Sequence, residues 1–322
     1  MAIQREPGLS HEERAPRTGG FVSVWGNSFH VLSRGSGAPF VLLHGNGSLG
    51  EEILSAFPDV AGVRWIAPDR PGYGQSDPLP DGHQDPLSQA AWLDALLTEL
   101  GIGRATFVAH SLAAGAALAF ASVRPGRTAR LVLLAPFCRP TPEKPMPALR
   151  IATAPVVGSF VRRILVPPLV RRMRQSIISG FMAPNRVPPW LRRFPVTHAA
   201  RPRSVATMAA ELKSFNDGMR DIGPSLRVQL PVTVVHGLCD QTAQPEWHLP
   251  WLRQQVPHLT CVLVPECGHA VHHAAPGIVL RAVLDASADS TARRAEAFRQ
   301  PDPVKETSRD ARKDQPASPT VA

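Results

Sequence analysis

The sequence lacks the features of a membrane-spanning, secreted or disordered protein. No stretch of 18 or more uncharged apolar residues occurs in the 322 residues, so no segment has the composition of a transmembrane helix. Charged residues are only 19% and apolar residues 43%, which excludes a polyampholyte and provides for a sizeable core. Residues 1–20 contain no apolar segment like that of a secretory signal. We therefore expect a globular, cytoplasmic protein.

Cysteine is also scarce, with 4 residues and no C-x-x-C pair. Three of the four lie in or beside apolar runs that look like strands. This pattern argues against a disulfide framework, and we expect buried thiols instead.

Acidic residues are scarce in one window of the chain. Residues 140–225 hold 14 Lys or Arg and 4 Asp or Glu, a local charge of +10 in a chain whose net charge is +9. The window has five aromatic residues and no nucleic-acid-binding motif, so we expect no nucleic-acid partner. Three interpretations stay open: a solvated surface, attraction of acidic substrates, and a weak contact with anionic membranes.

Short apolar runs alternate with longer segments along the middle of the chain. The first two runs flank Gly26-Asn27, a turn signal that predicts a hairpin. The later runs are separated by segments of helical length, such as 88–100 and 111–123, which predicts parallel strands joined by crossovers. Eight strands are predicted, over residues 21–25, 29–32, 39–43, 63–67, 105–109, 131–135, 232–235 and 260–264.

The window 140–225 interrupts this alternation. It contains 13 prolines, and apolar residues recur at steps of three and four between Val205 and Met219. This pattern predicts short helices with kinked joints. The predicted organisation is a flexible tail (1–20), a core (21–139 and 226–285), a basic helical cap (140–225) and a disordered tail (286–322).

The stretch VAHSLAAG (108–115) predicts a serine nucleophile, because an apolar strand runs directly into Ser111 and then into a small-residue helix. A serine hydroxyl becomes reactive when a sharp turn holds it out of the sheet beside a base. That turn needs small residues two positions before and after the serine, and Ala109 and Ala113 stand where glycine is usual. The alternative is that Ser111 is an ordinary helix N-cap.

Two further loops supply an acid and a base. Asp240 follows the predicted strand 232–235, and His269 follows the predicted strand 260–264. The order Ser, Asp, His, with each residue at the end of a parallel strand, resembles the catalytic triad of the α/β-hydrolase family.

The resemblance covers roughly residues 20–285. LLHGNG (42–47) and PDRPGYGQSD (68–77) look like the family's loops after its third and fourth strands. The resemblance implies an α/β fold with an eight-stranded, mostly parallel sheet, helices on both faces and a helical cap insert. Ser111 favours the serine-nucleophile branch over the dehalogenases and epoxide hydrolases, which use a carboxylate nucleophile.

The resemblance also implies a role for each site residue. Ser111 would attack, His269 would transfer the proton, and Asp240 would orient the imidazole and stabilise its charged form. The backbone N–H groups of Asn46 and Leu112 would form the oxyanion hole, and no cofactor is expected. The predicted substrate-binding residues flanking the site are Gly45, Gly47 and His110, the last of them as a buried imidazole.

Three histidines near the C-terminal end of the predicted core have a spacing that is also found in metal sites. His269, His272 and His273 have the spacing of a helical ligand cluster. Because no carboxylate or fourth ligand lies at ligand spacing in the sequence, we expect no metal.

These assignments predict a carboxylesterase-like serine hydrolase that acts through an acyl-Ser111 intermediate. Aliphatic residues of the predicted cap favour a substrate with an apolar acyl or alcohol group. The same triad also serves C–C bond hydrolysis, thioester hydrolysis, acyl transfer to another acceptor, or cofactor-free perhydrolysis. A ligand receptor or lipid-surface binder without catalysis is the alternative from another class. The sequence leaves the oligomeric state open.

Overall fold

The computed structural model describes residues 19–79, 83–142, 151–152, 154 and 157–285. The predicted tails, apart from residues 19 and 20, and part of the predicted cap lie outside the described residues. None of the described helices is both long enough and apolar enough to cross a bilayer.

An eight-stranded sheet forms the centre of the fold, as predicted. Its strands are β1 (Gly20–Val24), β2 (Asn27–Gly35), β3 (Ala38–Leu43), β4 (Val63–Pro68), β5 (Ala105–His110), β6 (Thr128–Leu134), β7 (Val232–Gly237) and β8 (Leu259–Val264). The spatial order is β1-β2-β4-β3-β5-β6-β7-β8. β2 pairs antiparallel with β1 and β4, and all other pairs are parallel. The carboxyl ends of the parallel strands therefore share one edge of the sheet.

Helices connect the strands. They are α1 (Gly50–Ser55), α2 (Pro86–Glu99), α3 (Ala113–Val123), α4 (Val157–Phe160), α5 (Val166–Met182), α6 (Val196–Ala199), α7 (Pro202–Ile222), α8 (Pro245–Gln255), α9 (Val271–Ala274) and α10 (276–285). A π-helical turn (Val161–Leu165) joins α4 to α5, and 3₁₀ turns occur at Pro125–Arg127, Leu191–Arg193 and Gly223–Ser225. Asp85 is the N-cap residue of α2, and its carboxylate accepts from the N–H groups of Leu87 and Ser88.

Helices cover both faces of the sheet, as predicted. Successive residues of β3 enter different clusters: Val41 packs with α2, α3 and α8, whereas Leu42 packs with α1, α9 and α10. This alternation is the period-2 pattern of a strand buried on both sides. The sheet is therefore packed on both faces, and it supports the loops at its carboxyl edge.

The last helix of the predicted cap packs on the core. Phe215, Met219 and Ile222 of α7 belong to the same apolar cluster as α2 and α3. The approach is close, because a Cβ added to Gly115 of α3 would lie 2.6 Å from the ring of Phe215. By contrast, α5 buries only Ile178 and Met182. The predicted boundary at residue 225 stays a prediction, but α7 packs as part of the core.

The four cysteines are free thiols. Cys138 and Cys267 are buried, as expected, but the expectation is wrong for Cys239 and Cys261, which are partly exposed. Cys261 lies on β8, which pairs only with β7 among the described strands and forms an edge of the sheet. Burial raises the pKa of both buried thiols, that of Cys267 to about 11, so neither is suited to act as a thiolate nucleophile.

Candidate active site

Ser111 lies in a sharp turn between β5 and α3. Its φ of +56° is in the left-handed region that non-glycine residues rarely adopt. The turn is held by hydrogen bonds from the Ser111 N–H to the Leu134 carbonyl (3.0 Å) and from the Ala114 N–H to the Ser111 carbonyl (3.0 Å). The N-cap of α3 is Leu112, so the alternative that Ser111 caps this helix is wrong. Backbone strain of this kind is often found at functional sites.

His269 joins the Ser111 hydroxyl to a carboxylate. Its Nε2 lies 2.9 Å from Ser111 Oγ, and its Nδ1 lies 2.8 Å from Asp240 Oδ2. Because an ionised carboxylate only accepts hydrogen bonds, Nδ1 carries the proton and donates it to Asp240. Nε2 is then free to accept the hydrogen bond of the Ser111 hydroxyl. Loops from three separate strands thus bring an alcohol, an imidazole and a carboxylate into one line.

Asp240 is buried and fully hydrogen-bonded. Oδ1 accepts from the backbone N–H groups of Thr242 (2.8 Å) and Ala243 (3.0 Å), and Oδ2 accepts from His269 and from His236 Nε2 (3.2 Å). Burial alone raises the pKa of Asp240, but the hydrogen bonds from His236 and His269 outweigh it and hold the pKa well below its usual range. The carboxylate is therefore ionised at neutral pH.

The loop after β3 packs against the serine. A Cβ added to Gly45 would lie 2.9 Å from His110 Nδ1 and 3.2 Å from Ser111 Cβ, so only glycine fits there without displacement. Gly47 has a φ of +74°, which favours glycine as well. Asn46 lies between these two glycines. The loop that carries the sequence-predicted residues Gly45, Asn46 and Gly47 thus packs against Ser111 at Gly45.

Substituting Gly45 by alanine is expected to lower kcat/KM by about 100-fold, because the methyl group must push the loop away from Ser111 and small misplacements of reacting groups are costly. Gly103→Ala is the matched control, since a Cβ there meets no atom within 4 Å. Steady-state kinetics and the melting temperature of both variants check the prediction. Unchanged kcat/KM in a folded Gly45→Ala variant would contradict it.

His110 is buried beside the triad. Its Nε2–H donates to the carbonyl oxygen of His269 at 3.1 Å, and the two rings lie 4.8 Å apart. Burial, reinforced by the neighbouring His272 and His269, holds the pKa of His110 well below its usual value. A neutral His110 therefore fixes the backbone of His269. Its predicted contact with substrate stays a prediction.

The chain matches the family described as the α/β hydrolase fold over residues 38–276. It belongs to the α/β-hydrolase fold family. A pimeloyl-acyl-carrier-protein methyl ester esterase from Nitrosomonas europaea is 27% identical over 254 residues, which cover 76% of this chain and 93% of the relative. A cis-3-alkyl-4-alkyloxetan-2-one decarboxylase from Shewanella oneidensis is 26% identical over 276 residues, 78% of this chain and 82% of the relative.

A solved structure shows the same fold. The epoxide hydrolase CorEH aligns with a TM-score of 0.69 and 20% identity, covering 85% of this α/β hydrolase and 99% of CorEH. At that identity the likeness shows the fold alone. The predicted family and the eight-stranded, mostly parallel fold are confirmed, and the relatives support a hydrolytic enzyme as the general class.

A buried carboxylate anchors the segment that follows His269 in this α/β hydrolase. Glu52 Oε1 accepts from His272 Nε2 (2.8 Å) and from His273 Nε2, and Ser48 Oγ donates to Oε2 at 2.7 Å. Burial raises the pKa of Glu52, but the two imidazoles outweigh it and hold the pKa well below its usual range. The ionised Glu52 on α1 thus fixes α9, which begins two residues after His269.

This cluster contains a carboxylate that sequence spacing does not reveal. No carboxylate lies at ligand spacing from His272 and His273 along the chain, and Glu52 meets them from 220 and 221 residues away. The three side chains place potential ligand atoms within 4.8 Å of one another. Both imidazoles nevertheless use Nε2 to donate to the carboxylate, and the expectation of no metal stays a prediction.

Glu211 forms a second buried network, which sequence reasoning missed. The carboxylate accepts from the Arg70 guanidinium, the Tyr73 hydroxyl (2.6 Å), Gln89 Nε2 (2.9 Å) and Asn46 Nδ2 (2.9 Å). Burial raises the pKa of Glu211, but the Arg70 charge and these hydrogen bonds lower it to about 2. The carboxylate of Glu211 on α7 therefore holds the loop after β3, which carries Asn46, and the loop after β4, which carries Arg70 and Tyr73.

Asp69 and Arg70 are adjacent in the loop after β4 but have different partners. Asp69 accepts from His30 Nδ1 at 2.9 Å and from the N–H groups of Gly50 and Gln75, each at 2.9 Å. Arg70 is thereby left to pair with Glu211 across 141 residues of sequence.

Proposed function

We propose that the protein is a serine hydrolase that cleaves an ester bond through an acyl-Ser111 intermediate. The observation that carries the proposal is the hydrogen-bonded line from Ser111 Oγ through His269 to Asp240, with links of 2.9 Å and 2.8 Å. This geometry activates an alcohol that is otherwise a weak nucleophile. Neither buried cysteine offers a competing nucleophile, because burial raises the pKa of both thiols.

Acylation begins when Ser111 Oγ bonds to the carbonyl carbon of the substrate and its proton moves to His269 Nε2. The C=O electron pair moves onto oxygen, and the ionised Asp240 stabilises the imidazolium. Backbone N–H groups of Asn46 and Leu112 donate to this oxyanion, each contributing on the order of 100-fold in rate. The C–O bond then breaks, and the imidazolium proton passes to the departing alcohol.

Deacylation repeats these steps with water. His269 Nε2 accepts a proton from water as the water oxygen bonds to the acyl carbon. The second tetrahedral intermediate breaks its bond to Ser111 Oγ, which takes the proton back from His269. A carboxylic acid leaves, and the triad returns to its starting protonation state.

The proposed substrate carries an apolar acyl or alcohol group. Two aromatic side chains of the predicted cap lie near the site: the Phe181 ring lies 6.0 Å from His110, and the Trp190 ring lies 4.4 Å from His273. The Nitrosomonas europaea relative, a methyl ester esterase, acts in the same reaction class.

A fluorophosphonate probe tests the nucleophile directly. We expect one label per wild-type chain, carried by the peptide that contains Ser111, and none on Ser111→Ala. Ser23→Ala is the control, because Ser23 is exposed on β1 and lies outside the site. Intact-protein and peptide mass spectrometry provide the measurement. Folded wild-type protein that does not label at neutral pH would favour a ligand receptor.

A substrate panel then identifies the bond. Esters of graded acyl length, thioesters and a vinylogous diketone are compared, with Ser111→Ala as the blank for each. Highest kcat/KM on esters supports the proposal. Preference for the thioester or the diketone would keep the triad chemistry and overturn the ester assignment.

A further inference from the structure

A helical segment of the predicted cap exposes a row of apolar side chains. α4, the π-helical turn and α5 run from 157 to 182 without a break in the chain. From residue 165 onward, apolar side chains recur every four residues, which places them on one face. The exposed apolar residues of the whole segment, which we call the stripe, are Val157 (54%), Phe160 (58%), Ile164 (55%), Leu165 (52%), Leu169 (54%), Met173 (45%) and Ile177 (40%).

Packing among the residues that the structure describes does not account for this stripe. The residues that α5 buries are Ile178 and Met182, which pack with Leu191, Val196 and Ala270. The stripe itself faces solvent. Proteins that stay in water rarely expose contiguous apolar surface of this kind, and such patches mark interaction sites.

The charge around the stripe is of one sign. Residues 151–200 hold 8 arginines and no Asp, Glu or Lys. Of the arginines in the helical segment, Arg163, Arg171 and Arg172 are exposed. A long amphipathic helix with large apolar residues on one face and arginine beside them is typical of segments that lie in the interface of an anionic membrane.

We propose that the stripe and its arginines, residues 157–177, dock on an anionic lipid bilayer. The apolar side chains would enter the boundary between headgroups and acyl chains, and the arginines would contact the anionic headgroups. Charge complementarity selects this partner over a second copy of the chain. Two copies paired through the stripe would bring the same arginines together, with no acidic residue from 151–200 to balance them.

The docked helix would lead to the candidate active site. Phe181, in the last turn of α5, lies 6.0 Å from His110, and Met182 packs with Ala270, the residue after His269. If the proposed function holds, esters dissolved in the bilayer form the substrate class that this placement serves. The docking surface itself does not depend on hydrolysis.

Sedimentation with lipid vesicles tests the docking surface in the full chain. Phosphatidylcholine vesicles are compared with vesicles in which about 30% of the lipid is phosphatidylserine. We expect at least about tenfold stronger partitioning to the anionic vesicles, and loss of most binding in roughly 0.5 M salt. Equal binding to both vesicle types, or no binding to either, would overturn the proposal.

Variants locate the contact. Leu169→Glu combined with Met173→Glu is expected to reduce anionic binding at least about tenfold, because two carboxylates would face the headgroups. Leu87→Glu is the matched control, since Leu87 is 41% exposed on α2, and it is expected to bind like wild type. Should the double variant unfold by circular dichroism, Leu169→Gln serves in its place. A folded stripe variant that binds like wild type contradicts the proposal.

Two further measurements separate this proposal from the proposed hydrolysis and from self-association of the chain. Ser111→Ala is expected to bind vesicles as wild type does, so failure of the proposed hydrolysis leaves the docking result unaffected. Light scattering reports the oligomeric state. A wild-type dimer that the stripe variant converts to monomer, without vesicle binding, would make this face an interface between copies and overturn the membrane proposal.

Discussion

Replacing Asp240 by asparagine is expected to lower kcat by on the order of 10⁴-fold while the protein stays folded. The orientation of the new amide is forced by its neighbours. The N–H groups of Thr242 and Ala243 both donate to Oδ1, so the amide oxygen must occupy that position. The amide NH₂ then faces His269 Nδ1, which can no longer donate and must accept. Nε2 consequently carries the proton and cannot receive the one from Ser111.

Pre-steady-state kinetics with a chromogenic ester would measure this effect on acylation. Asp217→Asn is the control, because Asp217 lies on the surface in a pair with Arg220 and is expected to leave kcat unchanged. A folded Asp240→Asn enzyme with nearly normal kcat would show that another acid orients His269.

Replacing Glu211 by glutamine is expected to lower the free energy of unfolding by about 3–5 kcal/mol at neutral pH, because the buried Arg70 guanidinium loses its counter-charge. In the folded protein the pKa of Glu211 lies at about 2, below its ordinary value of 4.5. The stabilisation is therefore fully present above pH 4.5 and is lost as the pH falls toward 2. The difference between wild type and variant should shrink accordingly in acid.

Urea unfolding at about pH 7 and about pH 3 tests both parts of this expectation. Glu246→Gln is the matched control, since Glu246 is exposed on α8 and should change stability by less than about 0.5 kcal/mol. Loss of activity in Glu211→Gln should accompany the loss of stability, because Asn46 Nδ2 donates to the same carboxylate. A variant as stable as wild type at neutral pH would show that Arg70 tolerates burial without Glu211.

The sheet, and the meeting of Ser111, Asp240 and His269 at one edge of it, were predictable because their signals are local. An apolar run such as 105–109 is bounded by turn residues, and all eight predicted strands are present in the structure. Ser111, Asp240 and His269 each stand within about five residues of the end of one of these runs. Since parallel strands place their carboxyl ends at one edge, sequence position alone brings these residues together.

The partners of buried charges were not predictable in this way. Glu52 meets His272 from a helix 220 residues earlier in the chain, and spacing rules examine only near neighbours. His236 lies at the end of β7, where nothing in the sequence shows that it shares the Asp240 carboxylate. Pairing between residues so far apart in sequence depends on how the helices pack on the sheet. The periodicity of apolar residues along the chain does not encode this packing.

Glu211 left a signal that a closer reading of the sequence would have used. It is the only acidic residue between positions 144 and 216. It also stands three residues after Met208 and four before Phe215, on the apolar face that predicts the helix. A carboxylate on a buried face requires a cation, although the sequence does not identify Arg70 as that cation.

The Arg70–Glu211 pair has a consequence for the construction of chimaeras. One way to change the substrate range of such an enzyme is to replace one of its segments with the matching segment of a homologue. A transplanted segment that replaces α7 would deprive Arg70 of its counter-charge, unless the homologue that supplies the segment carries a carboxylate at the position of Glu211. Recombination breakpoints that keep both residues from the same parent avoid this incompatibility, and exchange of α4 and α5 alone leaves the pair intact.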